Sequence, residues 1–349
     1  MRERIADHIA INGPMPFDVY MEWCLYDGDE GFFAAGPVRS GKRGDFVTSP
    51  EISWTFGYCV GEWARENAPG PDAVLVEIGS GSGAMLEQMA DAWAAGSIYA
   101  IELSAEAQGN IARDLDDVNV LAFIDEIPRG TDAVVIANEV LDNMPAALAR
   151  RVGDGWVEIG VDVVQDRLAL VDVPARRDVS TWCDDVFGAA PYGTVVSVQI
   201  AVSEWIESAF ERFDTVAMCL IDYGGTSEEL ASRNRSEVVR TYRKHQSGLG
   251  WLQSPGQTDV TVDVNVDGVV AAIERAGGEA TVVSQREFCL AHGLEELIAD
   301  ASGLEQVAAK AGDVLAQLTN RSERLDMEAL IDPSGLGAFK VILVNEGTA

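Results

Sequence analysis

Between residues 73 and 137, short apolar runs alternate with stretches of helical periodicity, and this alternation restricts the chain more than any other feature of it. The runs are 73–78 (AVLVEI), 97–102 (SIYAIE), 118–122 and 132–137 (DAVVIA), with helices expected at 84–94 and 104–115. Strands separated by helices are joined by crossovers rather than hairpins, so they lie parallel in a sheet covered on both faces. A further buried strand is expected at 216–222 (VAMCLID), after a helix at 201–213, and a last one at 338–344 (AFKVILV). The run 148–173 behaves differently. It alternates apolar and polar residues about Gly153-Asp154-Gly155, which predicts an antiparallel meander inserted into the sheet's connections.

The remaining segments divide the chain. Residues 1–70 read as a helical cap, because Ile5, Ile9, Phe17, Met21 and Leu25 recur at helical spacing. After a loop from Gly36 to Gly44, Ser49-Pro50-Glu51 predicts a helix start, with Ser49 as N-cap, proline in the first turn and an acid near the positive end. Ala68-Pro69-Gly70-Pro71 marks the first boundary. Residues 71–147 then form a ligand-binding half of the sheet, 148–200 the antiparallel insertion, and 201–349 the second half. Within that half, 225–262 is polar and carries Gly248, Gly250, Pro255 and Gly256, which predicts a long ordered loop acting as a lid.

Charge narrows the partners. The 349 residues hold 57 Asp+Glu against 25 Lys+Arg, a net charge of −32. Nucleic acid binding needs clustered cations to displace counterions, so it is excluded as an expectation. A negative field attracts basic molecules, including Arg- or Lys-rich proteins. Only four of the cations are Lys, a bias that genome composition or a salty habitat would also produce. No apolar run reaches the roughly 18–20 residues of a membrane span. Glu3 and Asp7 argue against a transit peptide, and the five scattered cysteines read as buried free thiols with no metal role, which together predict a cytoplasmic protein.

The strand at 73–78 runs into Glu77-Ile78-Gly79-Ser80-Gly81-Ser82-Gly83 and then a helix. Glycines at such a turn let the backbone approach a ligand closely, and the helix start offers unpaired N–H groups. Glu102 ends the next strand, 23 residues after Gly79, where an acid can accept both hydroxyls of a ribose, with Leu103 beside it. Asn138-Glu139 ends the strand 132–137, so polar groups gather at the carboxyl ends of three strands, where open α/β sheets bind ligands. The ligand is NAD or S-adenosylmethionine, since Gly79-x-Gly81-x-x-Ala84 also fits a dinucleotide fingerprint. Glu77 before the first glycine and Asn138-Glu139 favour the methyl donor.

These residues bring a family with them. The chain resembles the MidA-like class I methyltransferases, whose mitochondrial members are complex I assembly factors that methylate a protein arginine. Gly44-Asp45-Phe46-Val47-Thr48-Ser49-Pro50-Glu51 is similar to the family's most recognisable signature, and Gly13-Pro14, Tyr20-Met21 and Leu25-Tyr26-Asp27 resemble its N-terminal helix pair. The glycine loop, Ile136-Ala137-Asn138-Glu139-x-x-Asp142-x-x-Pro145, Leu220-Ile221-Asp222-Tyr223-Gly224, Tyr242-Arg243-x-His245, Pro255-Gly256-x-x-Asp259-x-Thr261 and Gly337-x-Phe339-Lys340-Val341 continue it in order. The resemblance implies an α/β fold: a class I methyltransferase Rossmann-like sheet with an N-terminal helical cap, an antiparallel insertion and a lid loop. It departs at Ser80, where the family usually has Pro, at Val140-Leu141, where it has aromatics, and at Asp263, where it usually carries a His. The role of that His does not carry over.

Methyl transfer needs a nucleophile held about 3–3.5 Å from the sulfonium methyl and in line with the breaking bond. The resemblance implies an arginine nucleophile, whose guanidinium stays cationic and pairs with carboxylates. Glu139 and Asp142, three apart beyond the strand 132–137, are the expected clamp, and His245 with Tyr242 the expected proton acceptor. Glu77, Gly79, Ser80, Gly81, Glu102, Leu103 and Asn138 are expected to hold the donor, with Asp45 and Ser49 closing over it. Trp251 anchors the lid or packs on substrate. A small-molecule N- or O-methyltransferase, a non-catalytic assembly factor retaining the pocket and an NAD oxidoreductase are the other readings. Substrate and oligomeric state are not legible at this level.

Overall fold

The computed structural model describes residues 1–33, 48–90, 92–188, 190–233, 238–243, 246–247 and 251–346. Its centre is a seven-stranded sheet: β1 Val74–Ile78, β2 Ile98–Ile101, β3 Val118–Leu121, β4 Ala133–Asn138, β5 Val216–Asp222, β6 Gly278–Ser284 and β7 Lys340–Glu346. The spatial order is β6-β7-β5-β4-β1-β2-β3. All neighbours from β5 to β3 pair in parallel, and only β7 runs antiparallel, with Met218 opposite Val344 and Gly278 opposite Glu346. Chain order reverses between β1 and β4. Successive side chains along a strand face opposite ways, which sorts the core: Leu75, Val134, Ile136, Cys219 and Ile221 enter one layer, and Val74, Val76, Val135, Ala137, Met218 and Leu220 the other. The strands expected at 73–78, 97–102, 118–122, 132–137 and 216–222 all form, with ends shifted by a residue or so. The last strand begins at Lys340, two residues later than expected, because 336–338 make a 3-10 turn.

One sheet face carries the helices Thr55–Glu66 and Ala84–Ala90, with Leu294–Ala311 and Val314–Leu330; the other carries Ile200–Arg212 and Val266–Arg275. Thr55–Glu66 and Ala84–Ala90 approach closely at Gly57, where a Cβ would meet the Gln88 side chain at 2.4 Å. The Gln88 amide uses that space to bridge: Oε1 accepts Gly57 N–H at 3.2 Å and Nε2 donates to Pro50 O at 2.9 Å. It thereby fixes the short helix Ser49–Ile52 over the sheet. The N-cap of that helix is Thr48, one residue earlier than expected. The Ser49 hydroxyl donates instead to Gln285 Oε1 at 3.3 Å, and the Glu51 carboxylate accepts Thr48 N–H at 3.0 Å. The helices and strand between 266 and 330 had no counterpart in the sequence reading, although their apolar residues recur with ordinary periodicity.

The N-terminal helices Arg2–Asn12 and Phe17–Tyr26 bury Ile5, Ile9, Phe17, Met21 and Leu25, as their spacing implied. They pack on an antiparallel sheet made by Ala147–Val152, Gly155–Val164, Arg167–Pro174, Val195–Val198 and the two residues Met15–Pro16. The expected meander is therefore present, its first hairpin closing with Val152 opposite Gly155. Within 225–262 the described residues carry more regular structure than the polar composition suggests: a helix at Ser227–Ala231 and strands Val239–Arg243, Gln246–Ser247 and Asp259–Val262. All five cysteines are free and buried. No helix among the described residues is long and apolar enough to cross a membrane.

Arg176 ties the cap to the insertion. Its Nη2 lies 2.6 Å from Oε1 of the buried Glu158 and 2.7 Å from Asp18 on the second helix, and its backbone N–H donates to Glu158 at 3.1 Å. Removing the guanidinium strands a buried carboxylate. Arg176→Ala is expected to cost about 2–3 kcal/mol in urea unfolding, less than for a fully buried pair because the guanidinium is part solvated. An unchanged midpoint would show that this contact adds nothing to stability.

Candidate active site

The reversal between β1 and β4 leaves a crevice at the carboxyl ends of the strands, and a cavity of about 450 Å³ occupies it. Gly79 leaves β1 at φ 66°, and its N–H still donates to Ile101 O at 2.8 Å. A Cβ there would stand 2.9 Å from Val140 Cγ2, so the turns after β1 and β4 touch only because the residue is glycine. Gly81 follows at φ 52°. Its N–H donates to Glu102 Oε2 at 2.8 Å while Ser104 N–H donates to Oε1 at 2.7 Å, which locks the Glu102 carboxylate between the two strand ends. The Ser80 hydroxyl turns inward to Glu77 O at 3.2 Å. Leu103 and Phe123 line the same cavity, 44% and 60% exposed, large apolar side chains left open beside Glu102.

Two buried polar atoms on the cavity wall lack partners: Glu77 Oε2 and Asn138 Oδ1. A buried group left unpaired is costly, and such atoms commonly await a ligand. Burial pushes the Glu77 carboxyl up to about 8. Glu139 leaves β4 at φ 53°, unusual for a residue with a side chain, and its N–H donates to Ile221 O at 2.8 Å. Burial, then the neighbouring Asp142 charge, pushes its carboxyl up to about 8 as well.

Asp142 goes elsewhere. Its carboxylate is buried, Oδ2 accepts the Tyr223 hydroxyl, and its backbone N–H donates to Asp222 Oδ2 at 3.1 Å. It does not line the cavity, so Glu139 and Asp142 are neighbours without facing the same space. Burial raises Asp142 to about 6, and Asp222, buried beside Asp142 and Glu139, well above its ordinary range. Asp263 pairs with Arg233 and Arg240, and the Arg240 guanidinium lies 5.1 Å from the Tyr223 ring centre. Ser49 is fully buried, but Thr48, Pro50 and Glu51 around it line the cavity. Trp251 packs its ring edge on Phe17 at 5.5 Å, anchoring its segment to the cap. Asp45 and His245 lie outside the described residues.

Several lining residues escaped the sequence reading as site residues: Tyr26, Phe33, Phe123, Asn143 and Trp205. Tyr26 donates to Asn143 O at 3.1 Å, joining the cap to the turn after β4. Phe123 follows closely on β3, in the position where the turns after the other strands carry site residues. The charged residues of the wall are all acids: Glu51, Glu77, Glu102, Asp125 and Glu139 line it, and no Lys, Arg or His does among the described residues.

The raised carboxyls set a pH dependence. Folded Glu77 and Glu139 keep their protons up to about 8, whereas in the unfolded chain they release them near about 4.5. The folded state thus binds more protons across that window, and stability falls as pH rises through it. The urea midpoint of the ligand-free chain is expected to drop between pH 5 and pH 8, and Glu77→Gln to flatten part of the slope. A wild-type midpoint that rises or stays level over that range would contradict this assignment.

Comparison with known proteins agrees with this geometry. A family model for S-adenosyl-L-methionine-dependent methyltransferases matches residues 57–284. A Caenorhabditis elegans protein named as a mitochondrial protein arginine methyltransferase NDUFAF7 homolog is 26% identical, over 84% of this chain and 76% of its own. The Mus musculus protein arginine methyltransferase NDUFAF7, also mitochondrial by name, is 24% identical over 95% and 84%. A Burkholderia thailandensis protein solved with S-adenosyl-homocysteine superposes with a TM-score of 0.83 at 24% identity, covering 100% of this chain and 92% of that one. The mitochondrial names overturn the cytoplasmic placement expected from sequence. Glu3 and Asp7 belong to a folded helix that sends Ile5 and Ile9 into the core, so they report on packing rather than on address. S-adenosyl-L-methionine rather than NAD is the cofactor, and the cavity suits it: an acid at the end of β2, an open glycine turn and two buried oxygens without partners. With the match spanning well over half of its length, the chain belongs to the S-adenosyl-L-methionine-dependent methyltransferases.

Proposed function

We propose that this enzyme methylates an arginine side chain of a protein. The observation that carries the reading is the acidic character of the wall: the described lining holds five acidic side chains and no basic one, which suits a cationic substrate. The names of the curated relatives support it. Bound in the cavity, S-adenosyl-L-methionine supplies an electrophilic methyl on a sulfonium. Glu102 would accept the ribose hydroxyls, Gly79 and Gly81 would bring backbone against the donor, Leu103 and Phe123 would flank its base, and Glu77 and Asn138 would take its polar end. Ser80 and Ser49 would shape this wall through backbone and packing. Glu139, at the cavity edge, would orient the guanidinium, with Asp142 holding the turn behind it through Tyr223 and Asp222. The guanidinium nitrogen takes the methyl, the sulfur keeps the electron pair of the broken bond, and the surplus N–H proton leaves to water. Asp45 would close over the donor and His245 would relay that proton.

Glu139→Gln keeps size and hydrogen bonding but removes the charge. The transfer rate is expected to fall about 10²-fold or more, the scale of losing one preorganised electrostatic contact, with donor affinity barely changed. Because a guanidinium needs the ionised carboxylate, wild-type substrate capture should strengthen as pH rises toward about 8, where Glu139 loses its proton. The variant should lose that rise. Full turnover in Glu139→Gln would remove this residue from the reaction.

Glu102→Ala tests the donor end separately. Calorimetry with S-adenosylhomocysteine should show binding weakened by about 1.5–3 kcal/mol, the scale of lost hydrogen bonds to a charged group. Tritiated methyl transfer into host lysate decides the substrate class. Label in a protein band supports the proposal, label only among small molecules favours a small-molecule methyltransferase, and no label leaves an assembly factor that retains the pocket.

A further inference from the structure

Asp142 is the nearest acid to Glu139 along the turn, yet its carboxylate is buried against Tyr223 and does not reach the cavity. Of the acids that do line it, one comes from the cap. Glu51 lines the cavity, on the short helix Ser49–Ile52 that Gln88 holds in place through Pro50 O. One Glu51 oxygen is fixed by Thr48 N–H at 3.0 Å, so the side chain has a set direction. The same cavity is lined by Glu139 from the turn after β4, so the two acids face one space. Two aromatic rings line the cavity with them, Tyr26 and Phe33, stacked with centroids 6.0 Å apart. Tyr26 is tied to the Glu139 turn through Asn143 O.

We infer that Glu51 and Glu139 together form the guanidinium clamp, one carboxylate from the cap and one from the sheet, beside the Tyr26–Phe33 pair. The chemistry suits a planar cation. Two carboxylates can accept the forked N–H donors of a guanidinium on different edges, and aromatic faces take its flat surface. A lysine ammonium, a point charge, would not use that arrangement as fully. The division of labour follows from the fold: Glu139 sets the substrate against the donor, and Glu51 makes capture depend on the cap being seated.

This inference rests on the arginine reading above, and its test separates the two. The chain, saturated with S-adenosylhomocysteine, is titrated calorimetrically with acetyl-Gly-Arg-Gly-amide and with the same peptides carrying citrulline or lysine. Wild type is expected to bind the arginine peptide at least tenfold better than either. Glu51→Gln, which keeps an acceptor for Thr48 N–H, should weaken the arginine peptide about tenfold or more while leaving S-adenosylhomocysteine affinity and thermal midpoint near wild type. Those two readouts certify the fold. If Glu51→Gln binds the arginine peptide as wild type does while Glu139→Gln does not, the clamp lacks Glu51 and the arginine reading survives. If wild type fails to prefer arginine over citrulline, or binds none of the peptides at millimolar concentration, the guanidinium reading itself falls, and Glu51 with it.

Discussion

Parallel pairing on both sides of β1, with chain order reversing between β1 and β4, is the constraint from which the rest of the molecule follows. Each strand in a parallel sheet must hand the chain to a crossover, so every carboxyl end from β1 to β5 opens on the same edge. Where the crossovers diverge to opposite faces, no helix covers that edge. The turns after β1, β2 and β4 face one another across the gap, and Gly79 lets the first and third of them touch. The cavity is therefore a consequence of topology, and its chemistry is whatever residues the chain places in the first positions beyond the strands.

Those positions hold acids, and burial makes them unusual ones. Glu77, Glu139, Asp142 and Asp222 sit within a few residues of strand ends, and desolvation raises each. Their roles divide by where their bonds go. Glu102 is held by two backbone N–H groups, and Asp142 and Asp222 knit the turns after β4 and β5 together. Glu77 and Glu139 keep oxygens at the cavity wall. While empty, the site keeps protons on Glu77 and Glu139 up to about 8, because burial disfavours their charged forms.

The cap contributes to this wall beside the sheet. Its second helix supplies Tyr26, its short third helix brings Thr48, Pro50 and Glu51, and Gln88 and Arg176 fasten the two ends of it to the sheet and the insertion.

How much of this was legible depends on whether a feature is local. Strand-forming runs, the glycine turn, Glu102 and Asn138-Glu139 were readable because periodicity and turn chemistry act over a few neighbouring residues. The insertion was readable too, since a hairpin meander writes its period into consecutive positions. Spacing along the chain made Glu139 and Asp142 look like a pair, but Tyr223, brought alongside by β5 lying next to β4, draws Asp142 away from the cavity. Ser49 read as a cap by residue type, until Gln285, 236 residues on, took its hydroxyl and left the cap to Thr48. Tyr26 and Glu51 stood within recognisable motifs, but nothing local placed them, or Phe33, at the site. They face the strand ends only because the cap folds back over the sheet. The sequence by itself determined the elements and the chemical groups at their ends, because those follow from short-range physics. Tertiary structure alone decided which of the groups share one space, because that is set by contacts between residues far apart in the chain.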